Sequence, residues 1–518
     1  MSNNRSLHNH SIDNKRIAKN TGMLYIRQLF VLSLALYTSR LTLQVLGETD
    51  FGIYAVVGGL TALISVLTNS MSGSTLRFLT FELGRGDVER VRAVYSTAMF
   101  IHLFVAVILI VLAETVGLWF FYHKLTIPVE RMEVAFWVYQ LSVFTCALAI
   151  CNVPNTATVT AHEDMGAFAA LSMLDAVLKL SAVGLLFLLS WDKLLFYALF
   201  LAAIQTMDVL VYIVICKRRY RETRMQYSMD RPLAKKMFGF AGWTIVYNLS
   251  TTGFIQGVNV LLNMFFGPIL NAAYTVAMQA YSGIRSFCSG FQLASNPQIV
   301  KLYSAGEYAE LHKLVMTTCK ISFFLILLMS LPFMVNSEYI LSLWLKNVPP
   351  HANAFFCLLL VFAYIDVFAY PMDVAAQATG KIKRYNLLSS LAIISVLPLA
   401  YVAFKLGAIA ESIYMIAIAM SGCGLLIRLY LLSRLIGLCK RDFMVKVFLR
   451  SVAVALLSYI VPCVLRMYIG TGLPNLLLSF CVSFVSVAGF VYALGLNGGE
   501  RLMVRQMVAK TYRKVAGR

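Results

Sequence analysis

Charged side chains are scarce in this sequence: Asp, Glu, Lys and Arg make up 13% of the 518 residues, whereas apolar residues make up 59%. Water-soluble domains contain roughly one quarter charged residues. A soluble fold of this composition would lack the polar side chains needed to cover its surface. The composition therefore excludes a soluble protein and favours an integral membrane protein.

The sequence also lacks the motifs of several chemistries. The ten cysteines occur singly, without a Cys-x-x-Cys pair or a His/Cys cluster, so we expect no metal site. No Gly-x-x-x-x-Gly-Lys-Ser/Thr loop is present, so the chain itself carries no sign of an ATPase. No loop is long enough to house a soluble catalytic domain. We therefore predict a protein that is not an enzyme and that uses no cofactor.

Acidic residues are outnumbered, 24 against 44 basic ones, which gives a net charge of +20. In a soluble protein this excess would suggest nucleic acid as a partner. In a membrane protein, basic residues are expected in the cytoplasmic loops. We therefore predict the lipid bilayer as a partner and no nucleic acid.

Runs of about 20 mostly apolar residues predict membrane-spanning helices. Fourteen such runs can be assigned, which predicts an all-α polytopic membrane protein. They cover residues 22–45, 53–75, 93–121, 134–156, 167–189, 194–216, 237–266, 272–297, 316–336, 354–376, 387–404, 409–432, 447–466 and 474–496.

The distribution of Lys and Arg predicts the orientation of these helices. With the N-terminus placed inside, the inside segments carry 32 basic residues and the outside loops carry six. Because one missed helix would invert every later loop, this bias supports both the helix count and a cytoplasmic position for both termini. The longest outside loop, 336–353, has about eighteen residues.

A weak internal repeat divides the chain into two parallel six-helix halves. At a constant offset of 220, Gly22 meets Gly242, Gly47 meets Gly267 and Gly86 meets Gly306. Transporters built from parallel repeats bind their substrate between the halves, near the midplane. The predicted segments are a cytoplasmic N-terminal tail (1–19), an N-terminal half (20–216), a basic cytoplasmic linker (217–236), a C-terminal half (237–433), an extra helix pair (434–496) and a basic cytoplasmic tail (497–518).

The first ninety residues resemble a known family. The stretch NTGMLYIRQLFVLSLALYTSRLTLQVLGETDFGIYAVVGGL (Asn20 to Leu60), followed by MSGSTLRFLTFELGRGD (Met71 to Asp87), resembles the start of bacterial polysaccharide-biosynthesis membrane proteins. These are the Wzx-type flippases of the multidrug/oligosaccharidyl-lipid/polysaccharide (MOP) exporter superfamily. The resemblance implies an inner-membrane protein that moves undecaprenyl-diphosphate-linked oligosaccharide repeat units outward for lipopolysaccharide (O-antigen) or capsule assembly. A polysaccharide polymerase and chain-length machinery would then be its partners.

Two other functions compete with this hypothesis. The first is a cation-coupled multidrug antiporter of the same superfamily, whose proton-coupled bacterial members commonly have an Asp in the first span. Here the first span contains two arginines and no acidic residue. The second is a membrane sugar-chain polymerase or ligase, which would need a larger outside loop than this chain has.

Arg285 is the main candidate for binding the substrate's diphosphate. It lies deep within its span, and Gln292 and Asn296 continue a polar stripe along the same helix face. A guanidinium offers a planar fork of donors that matches phosphate oxygens. The alternative is a structural ion pair with an aspartate of another helix. The aspartates considered for such a pair are Asp208, Asp366 and Asp373.

Further candidates come from other polar residues inside the spans, which are costly unless they face protein or water. Arg40 lies on a polar stripe of the first span, and the amide of Asn259 lies on one of the seventh. Asp175 and Lys179 are four residues apart, so they either neutralise each other or leave Lys179 as a switchable cation that could bind the substrate. The ion-coupling candidates are Asp175, Asp366 and Asp373, the last two lying on one helix face near Pro371.

Overall fold

The computed structural model describes residues 2–124, 128–188, 191–224, 229–344, 348–468, 470 and 472–501. Within these ranges no strand occurs, and the predicted all-α class is confirmed. In chain order the helices are α1 (Ser2–Arg85), α2 (Val88–Leu112), α3 (Leu118–Lys124), α4 (Met132–Ala161), α5 (Met165–Leu186), α6 (Lys193–Arg219), α7 (Arg231–Ser304), α8 (Tyr308–Val335), α9 (Ser337–Trp344), α10 (Ala352–Asp366), α11 (Ala369–Thr379), α12 (Lys383–Ile394), α13 (Val396–Lys405), α14 (Ser412–Leu435), α15 (Lys440–Phe443), α16 (Arg450–Tyr468) and α17 (Leu473–Phe490).

Ten helical segments of the described chain are long and apolar enough to cross a membrane. They coincide with the third to sixth and the ninth to fourteenth predicted spans. The other four predicted spans form the two legs of α1 and the two legs of α7. The prediction of a multi-pass membrane protein is therefore confirmed. The predicted outside loop 336–353 contains the short helix α9.

Two glycines allow α1 and α7 to bend between their legs. Gly47 has φ 76° and ψ 172°, and Gly267 has φ 81° and ψ −177°. This region of backbone space is essentially restricted to glycine. Gly86 and Gly306, which follow the ends of the same two helices, also share a positive φ, 75° and 78°. The offset of 220 residues therefore relates backbone conformations as well as residue types.

Four helices begin after an aspartate that caps them. The carboxylates of Asp87, Asp164, Asp192 and Asp230 each accept a hydrogen bond from the backbone N–H three residues later, at 3.0 to 3.2 Å. Such a cap satisfies one of the unpaired N–H groups at a helix start and stabilises it by about 1 kcal/mol. The starts of α2, α5, α6 and α7 are thus encoded locally.

Two of the predicted spans are interrupted. The span predicted at 354–376 is divided into α10 and α11, which are separated by Val367 and Phe368. Pro371 lies just after this break and cannot supply an N–H to the preceding turn. The span predicted at 387–404 is divided at Ser395, three residues before Pro398. The first break separates Asp366 from Asp373 and therefore determines how these aspartates are paired.

The chain forms two compact units. The first unit contains Met1–Leu249 and Leu293–Glu307, and the second contains Ser250–Gln292 and Tyr308–Arg518. The basic linker predicted at 217–236 lies within the first unit. A core of the first unit is formed by buried residues of α4 and α6, among them Val138, Tyr139 and Leu194. In the second unit, the hydroxyls of Tyr274 and Tyr414 are 3.0 Å apart in a buried aromatic cluster.

The extra helix pair, α16 and α17, packs within the second unit. The amide of Asn336 donates to the hydroxyl of Ser479 at 2.8 Å. After α17, a β-carbon added to Gly495 would lie 2.6 Å from the Phe324 ring, so only glycine allows this close approach. Most of the basic cytoplasmic tail predicted at 497–518 lies outside the described residues, and its position stays a prediction.

Candidate functional site

The first unit contains a charge cluster on α5 and α6, which we call the first charge cluster: Asp175, Lys179 and Asp208. The ammonium of Lys179 lies 2.8 Å from the carboxylate of Asp175, as their spacing of four residues predicts. Asp175 and Asp208 line the same small cavity of about 10 Å³, which is close to the limit for one water molecule. The cluster contains two carboxylates and one ammonium, so it has an excess negative charge when all three groups are ionised.

Arg27, on the first leg of α1, has a different environment. Its guanidinium carbon lies 4.8 Å from the ring centroid of Phe168 on α5, which is within the range of a cation–π interaction. Among the described residues Arg27 forms no salt bridge, and its buried Nε has no hydrogen-bond partner. It is therefore a guanidinium with unused donor capacity inside the first unit. The side chain of Arg40, the other predicted arginine of this span, lies outside the described part of the structure.

The second unit contains a longer-range network, the second charge cluster: Arg285, Asp366, Asp373 and Arg428. Arg285 lies 3.4 Å from the carboxylate of Asp366, and its side chain is 22% exposed. Its second Nη is 3.5 Å from the Oε1 of Gln292, whose own amide donates to the carbonyl of Val367 at 3.1 Å. Of the alternatives for Arg285, the structure therefore contains the ion pair with Asp366.

Asp373 forms the other half of this cluster. Its carboxylate accepts from the hydroxyl of Tyr385 at 2.7 Å and from the Nε of Arg428 at 3.1 Å. Both charged side chains of this pair are buried. Because a buried charge is tolerated when it is paired and hydrogen-bonded, this geometry favours a structural role for Asp373. The two aspartates seven residues apart thus have separate arginine partners.

A cavity of about 30 Å³ joins the two halves of the second charge cluster. Asp366 and Arg428 both line it, together with apolar side chains that include Phe254 and Phe362. A space of this size holds a water molecule or a small cation, but not a sugar. Asp366 therefore has room to exchange its arginine partner for water or an ion, whereas Asp373 is enclosed.

The remaining predicted residues are distributed along α7. The amide of Asn259 donates to the carbonyl of Ile255 at 3.3 Å, which is a local bond within the helix. Asn296 lies in the segment Leu293–Glu307, which belongs to the first unit, whereas Arg285 and Gln292 belong to the second. The predicted polar stripe of Arg285, Gln292 and Asn296 is therefore divided between the two units.

One buried ion pair could not be identified from sequence spacing. Lys320 on α8, whose side chain is only 3% exposed, lies 2.6 Å from the carboxylate of Glu500. Lys320 lies near the start of the span predicted at 316–336, but it is twelve residues into α8 and its side chain does not reach water. Its partner is 180 residues later in the chain, so no local pattern indicates the pair.

The basic linker after α6 is attached to the first unit by polar contacts. Asp164 accepts hydrogen bonds from Arg219 and from the hydroxyl of Tyr220, the latter at 3.3 Å. Burial, and next to it the negative charge of Asp164, raises the pKa of the Tyr220 hydroxyl above its ordinary value. Tyr220 therefore stays a neutral hydrogen-bond donor at physiological pH.

No protein-family model matches the chain, and no curated protein matches it. Solved transporter structures do match it. A MATE transporter in a straight conformation superposes with a TM-score of 0.72 at 15% identity, over 82% of this chain and 97% of that one. An outward-facing multidrug resistance MATE family transporter of the MOP superfamily gives a TM-score of 0.70 at 15% identity, over 82% and 95% of the two chains.

A third similar structure is a MOP superfamily transporter from Pyrococcus furiosus, reported with a binding pocket of reverse polarity that suggests a different function. It gives a TM-score of 0.69 at 14% identity, over 83% of this chain and 96% of that one. At these identities the likeness establishes the fold alone. The chain has the fold of the MATE transporters of the MOP superfamily, which agrees with the superfamily that the resemblance of its first ninety residues implies.

Proposed function

We propose that this protein is a flippase that exports an anionic, lipid-linked oligosaccharide across the bacterial inner membrane, with both of its termini in the cytoplasm. The carrier implied by the resemblance is undecaprenyl diphosphate, and the product would supply lipopolysaccharide or capsule assembly. A polymerase and chain-length machinery would act on that product. The fold of a membrane exporter supports the general part of this proposal.

One observation carries the choice of substrate: the guanidinium of Arg27 lies on the first span without a carboxylate partner among the described residues. A cationic drug would be repelled by this charge, whereas a diphosphate would be attracted to it. Arginine binds phosphate through two parallel N–H donors, which adds geometric selectivity to the attraction. Arg27 is therefore the first residue to test, before Arg285, whose charge is balanced by Asp366.

The second candidate is a cation-coupled multidrug antiporter. The solved structures with this fold include a multidrug resistance transporter, which favours this alternative. The excess carboxylate of the first charge cluster would suit a cationic substrate or a coupling ion. A binding pocket of reverse polarity, and from it a different function, is reported for the Pyrococcus furiosus transporter, so the fold by itself does not decide between the two candidates.

Energy for transport would come from an ion gradient or from consumption of the product outside. Moving one charge through a potential of 100 mV supplies about 2.3 kcal/mol. Asp366 and the first charge cluster, with Asp175 and Asp208, are the carboxylates beside small cavities, and we assign the coupling role to them. Lys179 would then respond to protonation of Asp175. Asp373 is the weakest of the coupling candidates because its pair with Arg428 is buried.

Gene deletion separates the two substrate classes. Under the flippase hypothesis, the deletion strain accumulates lipid-linked repeat units on the inner leaflet and loses surface polysaccharide, with drug susceptibility unchanged apart from general envelope effects. Unchanged polysaccharide in a strain without a second flippase gene would eliminate the flippase. Increased susceptibility to organic cations in a strain whose surface polysaccharide is unchanged would favour the antiporter.

Arg27 is tested by complementation of that strain. Arg27→Ala should reduce flipping more than Arg27→Lys, because lysine keeps the charge but loses the planar fork of donors. Arg434→Ala is the matched control, since Arg434 also stacks on an aromatic ring, at 4.7 Å from Tyr430, but is exposed. If Arg27→Ala and the control flip the substrate equally at equal abundance, Arg27 does not bind the substrate.

A further inference from the structure

A buried acidic residue lies between α4 and α5. The side chain of Glu163 has no exposed surface, although glutamate is among the residues least often buried. Its carboxylate accepts from the amide of Gln298 at 2.7 Å and from the ammonium of Lys301 at 2.6 Å. Both donors lie near the end of α7. Glu163 thus fixes the last turns of α7 through two polar contacts, one of them charge-assisted.

The loop between α4 and α5, which contains Glu163, differs in charge from the other predicted cytoplasmic segments. Residues 157–166 form the one predicted cytoplasmic segment without Lys or Arg, and they include Glu163 and Asp164. Both acids have basic partners from elsewhere in the first unit, Lys301 and Arg219. The loop is therefore an acidic segment that pairs with basic side chains on the predicted cytoplasmic side, where most segments are basic.

The attached segment of α7 has an unusual course. Leu293–Glu307 belongs to the first unit, whereas the chain before it, Ser250–Gln292, and the chain after it, from Tyr308, belong to the second. Gly84 at the end of α1 lets this segment approach closely. A β-carbon added to Gly84 would lie 1.9 Å from the hydroxyl of Ser304 and 3.0 Å from the Cα of Lys301.

The attachment has the properties of a contact that can open. Its polar groups can exchange their partners for water, and Lys301 remains partly exposed, while Ala294 adds an apolar contact with Leu24 and Met165. Glu163 also has a left-handed backbone, with φ 60°, which is uncommon for a residue other than glycine. Such conformations persist only while the surrounding contacts hold them. Loss of the contacts would let the loop relax.

We propose that Glu163, Gln298 and Lys301 form a latch that releases and re-forms in each transport cycle. Transporters of repeat architecture work by movement of one bundle against the other. Leu293–Glu307 is held by the first unit but continues into the second unit at both of its ends, so movement of the second unit would pull on its contacts with Glu163. The latch would then decide how often the predicted cytoplasmic side opens.

The test measures how fast a cysteine in the segment held by the latch reacts with a water-soluble reagent. Ser295 lies in the attached segment and is 1% exposed, so Ser295→Cys is protected while the latch is closed. The native Cys216 is also buried in the first unit, outside the latch, and serves as the internal control. A variant that keeps only these two cysteines, and that still complements the gene deletion, is treated with a water-soluble maleimide in inside-out vesicles without substrate.

Two variants are expected to open the latch. Glu163→Gln keeps the shape but removes the charge, and should raise the labelling rate at position 295 by about tenfold relative to Cys216, the population change expected for loss of one charge-assisted hydrogen bond. Gly84→Ala should also raise the labelling rate at position 295, because the added methyl group clashes with the attached segment while Glu163 itself is unchanged. Gly73→Ala, on the same helix, should leave the labelling rate unchanged, because nothing lies within 4 Å of the added carbon.

The proposal is overturned if position 295 labels no faster than Cys216 in Glu163→Gln and Gly84→Ala. It is also overturned if the parent variant complements the deletion while position 295 is never labelled. If Glu163→Gln does not accumulate in the membrane, the comparison of Gly84→Ala with Gly73→Ala decides. Because labelling is measured without substrate, the result is independent of which compound the protein transports.

Discussion

The two charge clusters differ in how they are built. In the first, Asp175 and Lys179 are neighbours on one helix, half-buried, with Asp208 as an additional carboxylate. In the second, each ion pair joins different helices, and Asp373 and Arg428 are buried. The first cluster needs only a helix to form, whereas the second needs the packed unit. We therefore expect the second to contribute more to stability and the first to tolerate changes of charge.

The largest effect is expected for the buried pair. Arg428→Ala leaves the carboxylate of Asp373 buried with Tyr385 as a donor but without its cation, and loss of one partner of a buried pair costs about 3 to 5 kcal/mol. We expect low membrane abundance and a lower unfolding temperature in detergent. Arg434→Ala, an exposed change on the same helix, is the control. Similar unfolding temperatures for these two variants would contradict a buried structural pair.

A smaller effect is expected for Arg285. Its pair with Asp366 is longer, at 3.4 Å, and both side chains are partly exposed. Loss of a hydrogen bond to a charged group costs about 1.5 to 3 kcal/mol, so Arg285→Ala should lower abundance less than Arg428→Ala. If Asp366→Asn restores the abundance of Arg285→Ala, Arg285 is a structural partner. If instead Arg285→Ala and Arg285→Lys accumulate normally and both lose transport, Ala more than Lys, then Arg285 binds the substrate.

Alanine substitutions at the bends of α1 and α7 should lower the unfolding temperature equally. Equal effects would show that the two bends share a backbone conformation although the two charge clusters differ. Gly47→Ala and Gly267→Ala each force a side chain into a glycine-only conformation, at a cost of about 1 to 3 kcal/mol. Their controls are Gly22→Ala and Gly242→Ala, which lie in regular helix with open space around the added carbon. The controls should be neutral or stabilising. Unequal unfolding temperatures of the two bend variants would argue against equivalent hairpins.

The smallest effect on stability is expected in the first charge cluster. Lys179→Met removes a pair of the i, i+4 type, which contributes about 0.2 to 0.5 kcal/mol. Lys446→Met is a matched control, because Lys446 and Asp442 form an exposed pair of the same spacing at 3.0 Å. Both proteins should unfold within a degree or two of wild type. A large loss of stability in Lys179→Met alone would show that Asp175 or Asp208 depends on this ammonium.

The features that follow from short-range rules were predictable from the sequence. The pair of Asp175 and Lys179 follows from helical spacing, and the equivalence of Gly47 and Gly267 follows from the repeat offset. The effect of Pro371 on its span follows from the missing N–H. Apolar runs separated by basic loops were also sufficient to place the ten spans that the described helices confirm.

The partners of the buried arginines were not predictable in this way. Arg285 is 81 residues from Asp366, and Arg428 is 55 residues from Asp373. Helical spacing placed both aspartates on one face, but the break between α10 and α11 gives each a different neighbour. Which arginine meets which carboxylate depends on helix packing, and a single sequence contains no record of it.

The pair of Lys320 and Glu500 has a consequence for the order of events during synthesis. When helix α8 enters the membrane, the carboxylate that pairs with its Lys320 ammonium has not yet been synthesised, because Glu500 lies 180 residues further along the chain. At about 5 to 20 residues per second, the ribosome needs roughly 10 to 40 s to reach it. During that interval Lys320 must remain hydrated or be bound by insertion machinery, because an unpaired ammonium is costly inside a membrane protein. A nascent chain that stops before Glu500 would therefore expose a charge that cellular quality control can recognise as a mark of incompleteness.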